Sequence, residues 1–217
     1  MTQTSQQMGS SLAPTSEMTH DAVRASQHIY RRLLDAMSHP GKTWQIIRHP
    51  YLENEAPIKA EWMASVVTTL VDHEVSLHVI DSPAFDGLED VIGRRTRVQR
   101  AGIDAADFVV ADVNSFDDSQ IAAIKIGDLD YPNDGATLLV QVESLDATDG
   151  PSLELSGPGI RDSRQVPFGQ LTTGFIAARN QATADYPLGI DVIVVDQAGK
   201  IMAFPRTTVI SVKDGGQ

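Results

Sequence analysis

The sequence predicts an α/β fold, a mixed sheet flanked by helices in three layers, and three observations point to it. Helical and strand periodicities alternate along the first part of the chain. The run 136–142 is almost continuously apolar and rich in β-branched residues, the pattern of a strand covered on both faces. Near the end, the apolar runs 190–195 and 201–204 flank Gln197-Ala198-Gly199, a short Gly-containing connection that reads as a hairpin.

Taken in order, residues 20–37 place Ala22, Ile29, Leu33, Ala36 and Met37 at helical spacing, with Thr19 as the expected cap and Pro40-Gly41 as the stop. Trp44 and Ile46 then alternate with polar neighbours as a short strand. A second helix follows Pro57, since Ala60, Met63, Ala64, Val67, Leu70 and Val71 fit the i, i+3, i+4, i+7 template. Residues 76–80 and 107–111 read as strands, and residues 117–126 as a helix. Leu153 and Leu155 alternate with Glu154 and Ser156 in another strand, which runs into Gly157-Pro158-Gly159. Phe168, Leu171, Phe175 and Ile176 trace one more helical face, with Pro167 suited to its first turn.

Composition narrows the function. A net charge of −12 opposes attraction to nucleic acid at long range, although a few arginines or backbone N–H groups can still build a local anion site. With no cysteine, disulfides and thiolate chemistry are excluded, which fits a reducing cytoplasm. Residues 1–18 are rich in Ser, Thr and Gln and lack both a basic start and an apolar core, so they read as a flexible segment and not as a signal peptide. No run approaches the roughly 20 apolar residues of a membrane span. The expected organisation is one domain over 19–210 with a flexible tail over 211–217.

Catalytic signatures are missing from the sequence. It has no G-x-x-x-x-G-K-[ST] loop, no G-x-G-x-x-G after a strand and no G-x-S-x-G elbow, and His73-Glu74 lacks the second histidine of a zinc pair. The remaining histidines show no ligand spacing, so no metal is expected. Asp81, Asp86, Glu89 and Asp90 read as a solvated loop. Asp191 opens an apolar strand, where it can meet a ligand or accept backbone N–H bonds. Arg206, at the exit of the last strand, can fork onto a phosphate or pair with Asp191 or Asp35, and the structural pair is the favoured reading. Arg31 and Arg32 lie on the polar face of the first helix, as solvated residues or as a contact for a partner protein. The Gly157-Pro158-Gly159 turn is stiff and nearly free of side chains, and so open to close approach by a ligand or another chain.

Five ordered segments carry a family resemblance: residues 30–41 (YRRLLDAMSHPG), 135–139 (GATLL), 153–160 (LELSGPGI), 186–191 (YPLGID) and 204–208 (FPRTT). Together they resemble the phosphonate metabolism protein H (PhnH) family, a subunit of the bacterial carbon–phosphorus lyase system. The resemblance implies a fold similar to the pyridoxal phosphate-dependent transferases but without that cofactor. None of the chain's lysines, Lys42, Lys59, Lys125, Lys200 and Lys213, reads as sitting in a pocket, as a Schiff base requires. It further implies an accessory, non-catalytic subunit that assembles with the family's G, I and J partners, in a complex forming ribose 1-methylphosphonate 5-triphosphate from ATP and methylphosphonate. No catalytic residue is carried over. The alternative is a nucleotide- or phosphonate-binding subunit whose site is the Gly-Pro-Gly loop with Arg206. A chain with a docking face is also expected to form a homodimer when its partners are absent.

Overall fold

The computed structural model describes residues 16–52, 55–146, 151–167 and 169–213. Its centre is a seven-stranded mixed sheet in the order β1-β9-β8-β5-β4-β2-β3. These strands are β1 (Trp44–Gln45), β2 (Ser76–Val79), β3 (Gln99–Arg100), β4 (Phe108–Asp112), β5 (Thr137–Val142), β8 (Asp191–Asp196) and β9 (Lys200–Phe204). β3, β2, β4, β5 and β8 run parallel, while β9 lies antiparallel to both β8 and β1. The apolar runs of the central strands are explained by burial on both faces. Leu139, Ile193, Val195, Ile201 and Ala203 point into one core. Their immediate neighbours Leu138, Val140, Val192, Val194, Met202 and Phe204 point into the other.

The first core is covered by helices α1 (Ser16–Ser38), α2 (Glu61–Leu70) and α3 (Leu88–Thr96). Ala22, Ala25, Ile29, Leu33 and Ala36 form the buried stripe of α1, at steps of three and four. The helix begins at Ser16, so Thr19 lies within it and is not its cap. The expected solvated loop around Glu89 and Asp90 is in fact the first turn of α3, where carboxylates favour the positive end of the helix. Leu88, Val91 and Ile92 are the residues it buries.

The opposite face departs from a purely helical cover. A three-stranded antiparallel sheet, β10-β6-β7, forms much of that layer, from β6 (Ser152–Ser156), β7 (Arg164–Pro167) and β10 (Val209–Lys213). Leu153, Leu155, Val166 and Ile210 face the core beside Phe175 and Ile176 of α4 (Thr173–Ala182). Pro167 ends β7 and does not open the helix; Thr172 is the cap, its hydroxyl accepting from the Phe175 N–H at 2.9 Å. Phe168 lies outside the described residues. The expected helix over 117–126 is a 3₁₀ helix, Asp118–Ala123, opened by a capping box between Asp117 and Gln120. Lys213, expected in a tail, closes β10 and pairs with Glu154 at 3.0 Å. No helix among the described residues is long and apolar enough to cross a membrane.

Candidate functional site

The segments singled out in the sequence meet behind the carboxyl end of α1 and along the turn that follows β9. Gly157 and Gly159 both have positive φ, 127° and 81°, so the Gly-Pro-Gly turn needs the freedom of glycine. A Cβ on Gly159 would sit 2.3 Å from the Ser38 carbonyl oxygen, and one on Gly157 would sit 2.8 Å from that of Thr207. The turn is therefore wedged between the end of α1 and residues 207–208. Arg164 of β7 adds a bond to the Pro40 carbonyl. Replacing Gly159 with Ala is expected to cost about 1–3 kcal/mol, from strain at positive φ and displacement of backbone. Chemical denaturation measures it; a cost below a few tenths of a kcal/mol would mean that the turn moves freely off Ser38.

Asp191 and Arg206 come together as one clasp. The guanidinium grips Asp191 Oδ2 from Nε at 3.1 Å and from Nη2 at 2.7 Å, while the Arg206 backbone N–H donates to Asp191 Oδ1 at 2.8 Å. Nη1 donates to the Pro132 carbonyl at 2.6 Å, and Nη2 also reaches that of Gly135 at 3.3 Å. Four of the five guanidinium N–H groups are thus engaged within the protein. Both side chains are largely buried, at 16% and 18% exposure. Gly135 permits the close approach, since a Cβ there would lie 2.2 Å from the Gly189 carbonyl oxygen.

A second arginine holds the same turn from the inside, and sequence reasoning missed it. Arg179 of α4 is 1% exposed. It donates to the carbonyls of Thr208 at 2.7 Å and Pro205 at 2.5 Å. Burial lowers its pKa to about 10, so it stays charged at neutral pH. The available signal was its position one turn beyond Phe175, on the buried side of a short helix, where a cation needs partners.

Arg31 and Arg32 stand apart from this cluster. Arg31 is exposed on α1, while Arg32 lies over the Trp44 ring at 5.4 Å and pairs with Asp35 at 3.2 Å. Arg32 is thereby engaged locally.

A cleft of about 620 Å³ opens at the carboxyl end of β2. There the chain order in the parallel sheet reverses between β3 and β4, a position where α/β folds form crevices. Asp81, Asp86, Glu89 and Asp90 line it, and Arg100 on its wall is paired with Glu89 and Asp90. Its acidic lining disfavours a phosphorylated ligand. Ser82 donates to the buried Asp112 at 2.9 Å and so ties the end of β2 to that of β4. No group of three or more His, Asp or Glu able to hold a metal occurs among the described residues.

His49 lines a smaller cavity of about 250 Å³ and is 4% exposed. Its Nε2 lies 3.1 Å from the Ser26 hydroxyl, its backbone N–H donates to Ser65 at 3.0 Å, and its Nδ1 has no hydrogen-bond partner among the described residues. Burial and then the nearby Arg95 charge push its pKa below the ordinary 6.5. The folded state therefore favours neutral imidazole, and the unfolded chain binds more protons as pH falls below 6.5. Stability is expected to decline on acidification through that region, and His49→Gln to flatten the decline. Denaturation midpoints measured against pH test this; equal slopes in the two proteins would contradict it.

Fold and site together define a mixed α/β protein whose central arginine–carboxylate clasp binds its own turns. The family model for bacterial phosphonate metabolism protein (PhnH) matches residues 18–211, and the chain belongs to that family. It is 31% identical over 191 residues to a putative C-P lyase subunit protein, HtxG, of Stutzerimonas stutzeri, covering 86% of each chain. It is 28% identical over 196 residues to the alpha-D-ribose 1-methylphosphonate 5-triphosphate synthase subunit PhnH of Rhizobium meliloti (strain 1021), covering 87% of this chain and 91% of that one.

Proposed function

We propose that this protein is an accessory, non-catalytic subunit of a carbon–phosphorus lyase core complex, serving phosphonate breakdown by assembling with partner subunits of the G, I and J types. The observation that carries this reading is the state of Arg206. Its guanidinium, which could otherwise fork onto a phosphate, is committed to Asp191 and two backbone carbonyls. The relatives support the same reading, because both are named as subunits of this system. In this reading the protein works in the cytoplasm, forms a homodimer when isolated, and has a single domain related in fold to the pyridoxal phosphate-dependent transferases without using their cofactor.

The test is to incubate the purified chain with ATP and methylphosphonate and to follow adenine by chromatography. No release is expected from the chain alone, with release appearing when the other subunits are added. Turnover by the isolated chain, or unchanged turnover by the other subunits without it, would overturn the proposal. Calorimetry with ATP or alkylphosphonate is expected to give no binding heat to the isolated chain.

A further inference from the structure

Three of the five segments that mark the family meet at one knot, and its outer surface is unusual. Gly135 and Ala136, residues 186–191 and Arg206 are joined by the Arg206 bonds to Pro132, Gly135 and Asp191. Gly189 N–H donates to the Ile126 carbonyl at 2.9 Å, and Asp191 N–H to that of Ala136 at 3.2 Å. The loop over 126–135 is also closed on itself. Asp128 Oδ1 accepts from the N–H groups of Asp130 and Tyr131 at 2.9 and 2.7 Å, and Asp134 N–H donates to the Tyr131 carbonyl at 3.1 Å. This well-tied backbone holds out Leu129, Tyr131 and Tyr186, which are 77%, 61% and 74% exposed.

From this arrangement we infer that Leu129, Tyr131 and Tyr186 form a docking surface for another subunit of the assembly, one that offers an apolar pocket rimmed by lysine or arginine. The inference rests on the subunit reading above and names the face that reading leaves open. Ordering a loop and its side chains is a main cost of association, and here the backbone is ordered in advance. Tyrosine gives large contact area for few rotatable bonds and is enriched where binding energy concentrates. Charge selects the partner. Asp128, Asp130, Asp134 and Asp185 flank the three apolar residues in sequence, are exposed, and form no ion pair among the described residues. A two-fold contact with a second copy would set these carboxylates against their own equivalents, which is repulsive, whereas a basic rim complements them.

The test uses the full chain, tagged and co-expressed with the other carbon–phosphorus lyase subunits of its host. Tyr131→Ala/Tyr186→Ala is expected to keep the wild-type thermal midpoint, because both rings are exposed, and to hold the other subunits about 30-fold more weakly or worse. Asp128→Asn/Asp130→Asn/Asp134→Asn is expected to flatten the salt dependence of capture. Tyr30→Ala/Leu34→Ala, on the exposed face of α1, is the comparison and is expected to capture normally. Capture by the wild type with equal capture by the tyrosine variant overturns this inference and leaves the subunit reading standing. Loss confined to the α1 variant overturns it too, as does a tyrosine variant that changes only the mass of the isolated chain. Failure of the wild type to hold any of the subunits overturns both.

Discussion

Arg179→Ala is expected to destabilise the protein by about 4 kcal/mol, the range for emptying a large buried site. The side chain is 1% exposed, so its removal leaves a void that the surrounding structure fills only in part. It also takes a donor from each of two buried carbonyls, Pro205, which keeps the Thr208 N–H at 2.8 Å, and Thr208. In a domain of this size that loss corresponds to a fall of roughly 8–16 °C in thermal midpoint. Arg179→Met, which refills much of the volume but donates nothing, separates the two contributions. It is expected to recover part of the loss and to leave the cost of the two lost hydrogen bonds. Calorimetry on the three proteins decides the matter. An Arg179→Ala midpoint within about 2 °C of wild type, which is under 1 kcal/mol, would show that the turn after β9 holds itself without the arginine.

Arg206→Ala is expected to cost about 3 kcal/mol and to loosen a loop far away in sequence. Removing one partner of a largely buried ion pair leaves the other charge uncompensated, which typically costs about 3–5 kcal/mol. The lower end applies here because Asp191 keeps 18% exposure and still accepts the backbone N–H of residue 206. Asp191→Ala should cost less, since Arg206 keeps its two carbonyl partners. The double variant should be less destabilised than the sum of the two, which a double-mutant cycle measures directly. Hydrogen exchange provides the local signature. Amides over 126–135 should exchange faster in Arg206→Ala than in Arg179→Ala, because it is Arg206 that bonds Pro132 and Gly135. Additive energies together with unchanged exchange would mean that the clasp does not hold the loop. The same loosening should weaken partner capture in a variant that still folds.

The limits of sequence reading follow from where each element finds its partners. α1, α2 and β6 announce themselves by repeating apolar residues at their own period, and β5 and the β8–β9 hairpin by apolar runs that are buried on both faces. β7 offers a single buried residue, Val166, and β10 offers Ile210 as its buried position. Both become strands by pairing with β6, more than 40 residues away from β10. α3 is short, and its two carboxylates disguise a start that Gly87 before them and Arg94-Arg95 after them could have revealed. At the site, a pair between Arg206 and Asp191 was one of three readable options for the arginine, beside Asp35 and a phosphate. The carbonyls of Pro132 and Gly135 were not readable, because a backbone acceptor leaves no mark in residue type. Arg179 was hidden for the same reason.

By itself the sequence determined the central sheet's apolar strands, the helices α1 and α2 over its first face, the family, and the positions where glycine or an arginine–carboxylate pair was needed. These follow from local periodicity and from residue chemistry, which need no knowledge of distant neighbours. Tertiary structure alone decided that a second sheet covers the other face, that two arginines close on one turn, and that Leu129, Tyr131 and Tyr186 are each left exposed. Those outcomes depend on which backbone groups meet across the fold, and long-range pairing of backbone is written in geometry more than in residue identity.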